Sequence, residues 1–142
     1  MIIIVTEIKK KFYDILTNLG YEVVDNKESI AENSSFPQII LRLNVGARDR
    51  IKDVTISKIR FTIDIFSEYD GESEILDIEQ KVFDATKELY DVPHVVYVQE
   101  SSFRILDDKS TGVIMKHGIL NYMVVVGGVE QEVEDEETNN TP

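Results

Sequence analysis

The residues that could do chemistry are few, and none is spaced for catalysis. His94 and His117 are the only imidazoles among 142 residues. Neither stands in an H-E-x-x-H or comparable ligand spacing, so neither is placed to hold a metal. His94 follows Pro93 at the start of a predicted strand and His117 precedes Gly118 within another, and both read as structural or surface residues. Cysteine is absent, which removes thiolate nucleophiles, thiolate zinc sites and disulfides. No G-x-S-x-G elbow, no G-x-x-x-x-G-K-[ST] and no G-x-G-x-x-G occurs, so the serines and glycines read as loop and turn residues. The acidic run from Glu68 to Glu74 fails as a calcium loop. The position six after Gly71 is Asp77 rather than Glu, and the upstream Asp/Asn alternation is missing. It reads instead as a turn into a helix whose N-terminus favours acids. No carboxylate pair sits in a setting that predicts burial. The chain is therefore expected to be no enzyme, with no catalytic, cofactor-binding or metal residue and no cofactor.

What remains is charge. The sequence has 27 Asp+Glu against 15 Lys+Arg, a formal net charge of -12. Such a balance argues against a duplex-binding protein, since neutralising phosphates with Lys and Arg supplies most non-specific affinity. Six of the acids lie in Glu130–Glu137 (EQEVEDEE), which leaves 21 acids and 15 bases before residue 127. With no apolar period, residues 127–142 are expected to form a disordered acidic tail serving solubility or a basic partner. Against this acidic background three cations concentrate at Arg48, Arg50 and Lys52. Their plain reading is a solvated hairpin tip, and their functional reading is a contact with an acidic neighbour, such as another subunit. Lys9, Lys10 and Lys11 form a second basic cluster of the same kind.

These residues must be positioned by one domain, residues 1–126, since 42% hydrophobic residues suffice for a core. The longest apolar runs, such as Met1–Val5 and Met123–Val126, are too short to span a bilayer, and the N-terminus has no basic stretch of a signal peptide. Ile4, Ile8, Phe12, Ile15 and Leu19 make one stripe of a helix over about 3–19, ended by Gly20. A short extended piece at 21–24 and a polar loop at 25–35 follow. Ile39, Leu41, Leu43 and Val45 alternate as a strand that Pro37 opens. After a charged connection at 46–53, Ile59, Phe61, Ile63 and Ile65 define a second strand over about 54–66. Ile75, Ile78, Val82, Ala85 and Leu89 predict a helix over about 73–89, stopped by Pro93. Strands over 95–105, carrying Val96, Val98, Phe103 and Ile105, and over 113–126 complete the chain. The order α-β-β-α-β-β gives an α+β fold, a mostly antiparallel sheet of four to five strands with two helices packed on it.

The arrangement resembles the tail terminator (tail completion) family of long-tailed bacteriophages. The resemblance rests on the N-terminal amphipathic helix, on FPQIILRL at 36–43, on RFTIDIFSEYDGESEILDIEQKVFDAT at 60–86 and on SFRILDDKSTGVIMKHGILNYMVVV at 102–126. It implies a virion structural protein, assembled in the host bacterial cytoplasm, whose copies form a six-fold ring at the head-proximal end of the tail. Such a ring ends growth of the tail-tube protein and meets the head-completion (stopper) protein. It also implies DNA passing through the lumen without specific binding, and no membrane. Arg48, Arg50 and Lys52 are then the candidate subunit or tube interface. An acidic secretion-type chaperone, a head-closure protein of the neck and a small ligand-binding or enzymatic α+β domain are the other classes compatible with this layout.

Overall fold

A computed structural model describes residues 2–24, 36–44, 46–51, 54–109 and 114–128. The predicted loop at 25–35, Val45, Lys52, the turn around Gly112 and the tail from 129 onward lie outside them. The first helix, α1 (Ile2–Asn18), buries Ile4, Ile8, Phe12 and Ile15 on one side together with Leu16. Gly20 ends it at φ 95°, a left-handed conformation that glycine adopts at no steric cost. Strand β1 (Glu22–Val24) then pairs parallel to β2 (Gln38–Leu43), which follows a cis Phe36–Pro37 bond.

β3 (Ala47–Ile51) and β4 (Val54–Ser67) form an antiparallel hairpin, and β4 also carries β2 further along the same edge. The second helix, α2 (Ser73–Ala85), runs into a 3-10 segment (Thr86–Asp91). The long strands β5 (Val95–Asp108) and β6 (Met115–Gly127) close the chain. The sheet order is β1-β2-β4-β6-β5, with β3 added beside β4.

The α+β class and two-helix layout match the expectation, but the sheet has six strands rather than four or five. The additional pieces are β1 and β3. The run Ala47-Arg-Asp-Arg-Ile51, expected as a loop, is held extended by pairing with residues 54–58. Two apolar residues of the predicted strands lie outside the core. Leu43 is exposed, because β2 ends there and β3 takes over the pairing with β4. Val96 is exposed, because a register shift between Val95 and Tyr97 reverses the side on which the next residues fall.

Both helices lie on one sheet face. There Phe12 meets Phe61 at 5.1 Å between ring centroids and Tyr122 at 5.8 Å edge-on. β4, central in the sheet, is buried on both faces from Phe61 to Ser67, whereas β6 alternates buried and half-buried residues. The opposite face carries a small cluster of Ile40, Phe66 and Met115 at one end. No described helix crosses it.

Candidate functional site

The ladder fixes where the predicted cations lie. Arg48 pairs with Ser57 and Arg50 with Thr55, and across β4 Ser57 pairs with Val126. Paired residues of an antiparallel ladder point to the same side. Arg48 and Arg50 therefore lie on the helix-bearing side of the β3–β4 hairpin, Arg48 level with β6 and Arg50 beyond its last pair with β4, and both are exposed. Lys52 lies outside the described residues. On α1, Lys9 and Lys10 line a groove with Tyr13, Val23, Val24 and Leu41. The N–H of Gly128 bonds to the Thr55 carbonyl at 3.2 Å, near the tip of the β3–β4 hairpin.

The open sheet face holds polar groups that the sequence does not bring together. Asp64 on β4 is buried; its Oδ2 accepts from Arg42 Nε at 2.7 Å and its Oδ1 lies 2.8 Å from His117 Nε2. Burial pushes the Asp64 carboxyl up, but the hydrogen bonds from His117 and Arg42 and their charges outweigh it and hold the group below its usual range. The other ring nitrogen of His117 lies 3.7 Å from Asp108 Oδ2, and Phe66 stacks on the imidazole at 4.3 Å. An imidazole held between two carboxylates under an aromatic ring has neither nitrogen directed at a substrate. This cluster is a clamp joining β2, β4, β5 and β6. Next to it runs a relay of side chains from Asn44, just past the end of β2, across β4, β6 and β5. Asn44 donates to Thr62 Oγ1 at 2.5 Å, Thr62 to Asn121 Oδ1 at 2.8 Å, and Asn121 Nδ2 to Ser102 Oγ at 2.8 Å. His94, by contrast, is a turn residue with φ 73°, and its carbonyl accepts the Gly127 N–H at 3.0 Å.

On the helix side, Tyr122 Oη donates to Glu100 Oε2 at 3.3 Å. Burial, then a hydrogen bond to Glu79 and its charge, raise the Glu100 carboxyl to about 7. A carboxyl raised by folding binds more protons in the native than in the unfolded state between its ordinary value of 4.5 and about 7. Stability from this site therefore declines as pH rises through that window. Glu100→Gln is expected to flatten the fall in melting temperature between pH 5 and 8 and to melt a few degrees above the unmutated protein at pH 8, measured by circular dichroism.

Among the described residues, no group of three or more His, Asp or Glu side chains is placed to hold a metal ion. No helix there is long and apolar enough to cross a membrane.

No protein-family model matches the sequence, and no curated protein matches it either. Among solved structures, the chain is similar to one from the virion of a native gene transfer agent particle. The identity is 13%, the TM-score is 0.53, and the match covers 84% of this chain and 94% of the other. That likeness shows a shared fold over most of both chains.

Proposed function

We propose that this chain is a structural protein of a virion, and within it a tail terminator. In this reading a ring of copies, six in the family it resembles, seats on the last ring of tail-tube protein. It stops polymerisation and presents its far side to the head-completion protein. DNA passes through without being bound, and no cofactor is needed. The observation that supports this most is a fold shared over 94% of a chain from a gene transfer agent virion. The buried polar groups agree with it, because Asp64, Arg42 and His117 satisfy one another and brace strands.

The exposed hairpin fits a docking element. Arg48 and Arg50 are exposed on the sheet-edge strand β3, Arg50 beyond the last β4–β6 pair, and neither side chain is part of the core. We assign them to the contact with the tube. Arg48→Glu combined with Arg50→Glu is expected to leave the melting temperature within about 2 °C of the unmutated protein, as for exposed substitutions. It is expected to weaken attachment to tube ends at least about tenfold, since like charges at a contact cost several kcal/mol. Negative-stain counts of capped tube ends test both the role and this residue assignment. Caps on most ends with the unmutated chain and few with the variant are expected. An unmutated chain that never associates with tube ends overturns the reading.

A further inference from the structure

Two surfaces on opposite sides of this subunit complement each other. The first is the outward side of α2. Leu76 and Phe83, seven residues apart, fall on one line of that helix, and they are 48% and 49% exposed. At 100° per residue, Asp77, which pairs with Lys81 at 3.1 Å, and Asp84 flank that line on one side, and Glu72 on the other. From Glu72 to Asp91 the chain has seven acids and two lysines.

The second surface is the open sheet face, on the other side of the sheet from α2. Register places Tyr97 beside Val125 and Gln99 beside Met123, and Met123 opposite Arg60. Val125 and Met123 are half-buried, and Tyr97 is 49% exposed. Arg60 and Arg104 are exposed on this face. Its described carboxylates are Asp64, already engaged by Arg42 and His117, the half-buried Asp108 and, at the far β1 edge, the half-buried Glu22. An apolar ridge with an acidic rim thus stands on one side of a subunit, and an apolar floor with an arginine rim on the other.

We propose that the open sheet face of one copy receives α2 of a second copy, with Leu76 and Phe83 over Met123, Val125 and Tyr97, and Asp77 and Asp84 opposite Arg60 and Arg104. The charge match selects this occupant. Because donor and acceptor surfaces differ and lie on opposite sides, the contact is heterologous and propagates from copy to copy, closing into a ring when the rotation per step permits. Edge-to-edge strand pairing is the poorer route. The outer edge of β5 is broken by two register shifts, and its Val98 N–H is already bonded to Tyr90 Oη at 2.9 Å. This inference rests on the ring of the proposed function and names the subunit contact within it.

A charge-swap mixture tests it by analytical ultracentrifugation. Arg60→Glu/Arg104→Glu alone faces its own acidic helix, and Asp77→Lys/Asp84→Lys alone faces its own arginines. Each is expected to fold normally by circular dichroism and to associate at least about tenfold more weakly than the unmutated chain. Mixed at equal concentration, every contact in an alternating ring is again complementary, so the sedimentation of the unmutated assembly should return. Either double variant assembling like the unmutated chain, a mixture that stays dissociated, or an unmutated chain that stays monomeric at millimolar concentration overturns the proposal. Rings that form through this contact yet ignore tail tubes leave it standing and remove the terminator role. Variants that assemble normally and cap tubes do the reverse.

Discussion

Gly118→Ala is expected to destabilise the protein by about 1–3 kcal/mol, the usual range for overpacking a filled core. At about 3–5 °C per kcal/mol for a chain of this size, the melting temperature should fall by about 3–15 °C. Gly118 sits on the helix-bearing face of β6, paired with Ile65 on one side and Ile105 on the other. A Cβ built there would lie 2.6 Å from Ile75 Cγ2. Ile75 is fully buried near the start of α2, and its β-branched side chain has essentially one helical rotamer, so it cannot swing aside. The helix must lift. Ile75→Ala combined with Gly118→Ala should therefore lose less stability than the two single losses added together, a coupling that a double-mutant cycle reads directly. Simple additivity would mean that the close approach is not what fixes glycine at this position.

Asp64→Ala is the second large effect, expected to lose about 2–4 kcal/mol. Removing one member of a buried ion pair costs about 3–5 kcal/mol. The value here is reduced because the Arg42 side chain is 53% exposed and can return to water. His117, stacked under Phe66, has less freedom to do so. Asp64→Asn keeps the shape and should lose less. The sign of the pH dependence follows from the carboxyl lying below its ordinary value of 3.8. Its charged form contributes stability that is fully present above that value and is lost as pH falls through the lowered one. The gap between the unmutated protein and Asp64→Ala should thus shrink under strong acid, as followed by denaturant melts. A gap that widens in acid would contradict the hydrogen-bonded, ionised assignment.

Much of the scaffold was legible because it rests on local periodicity. The stripe Ile4, Ile8, Phe12, Ile15 defines α1 without reference to the rest of the chain, and Gly20 supplies its end. The alternation from Ile59 to Ile65 likewise identifies β4. β3 was not legible. Arg48, Asp49 and Arg50 have no apolar alternation, and only the ladder with β4 makes them a strand. The exposure of Val96 was not legible either, because a register shift cannot be seen in adjacent valines. The clamp was invisible for another reason. His117 and Asp64 are 53 residues apart, and only the pairing of Phe66 with His117 brings them together. The sequence placed a histidine and a glycine side by side in mid-strand, but Ile75 above one and Asp64 beside the other belong to tertiary structure. Arg48 and Arg50 stand out in the sequence as a local concentration of cations, whereas Arg60 and Arg104 are isolated in theirs and meet on one face only through the β4–β6–β5 ladder. Their importance depends on which sheet face the helices leave open.

The central claim is that this chain ends a tail tube. The most direct measurement polymerises purified tail-tube protein with increasing amounts of this chain and records tube lengths and tube ends by negative-stain electron microscopy. The terminator account predicts tubes that shorten as the chain is added, each with a single ring of this protein at one end and none along its length. Tubes of unchanged length with bare ends, at concentrations where the chain itself has assembled, would contradict it.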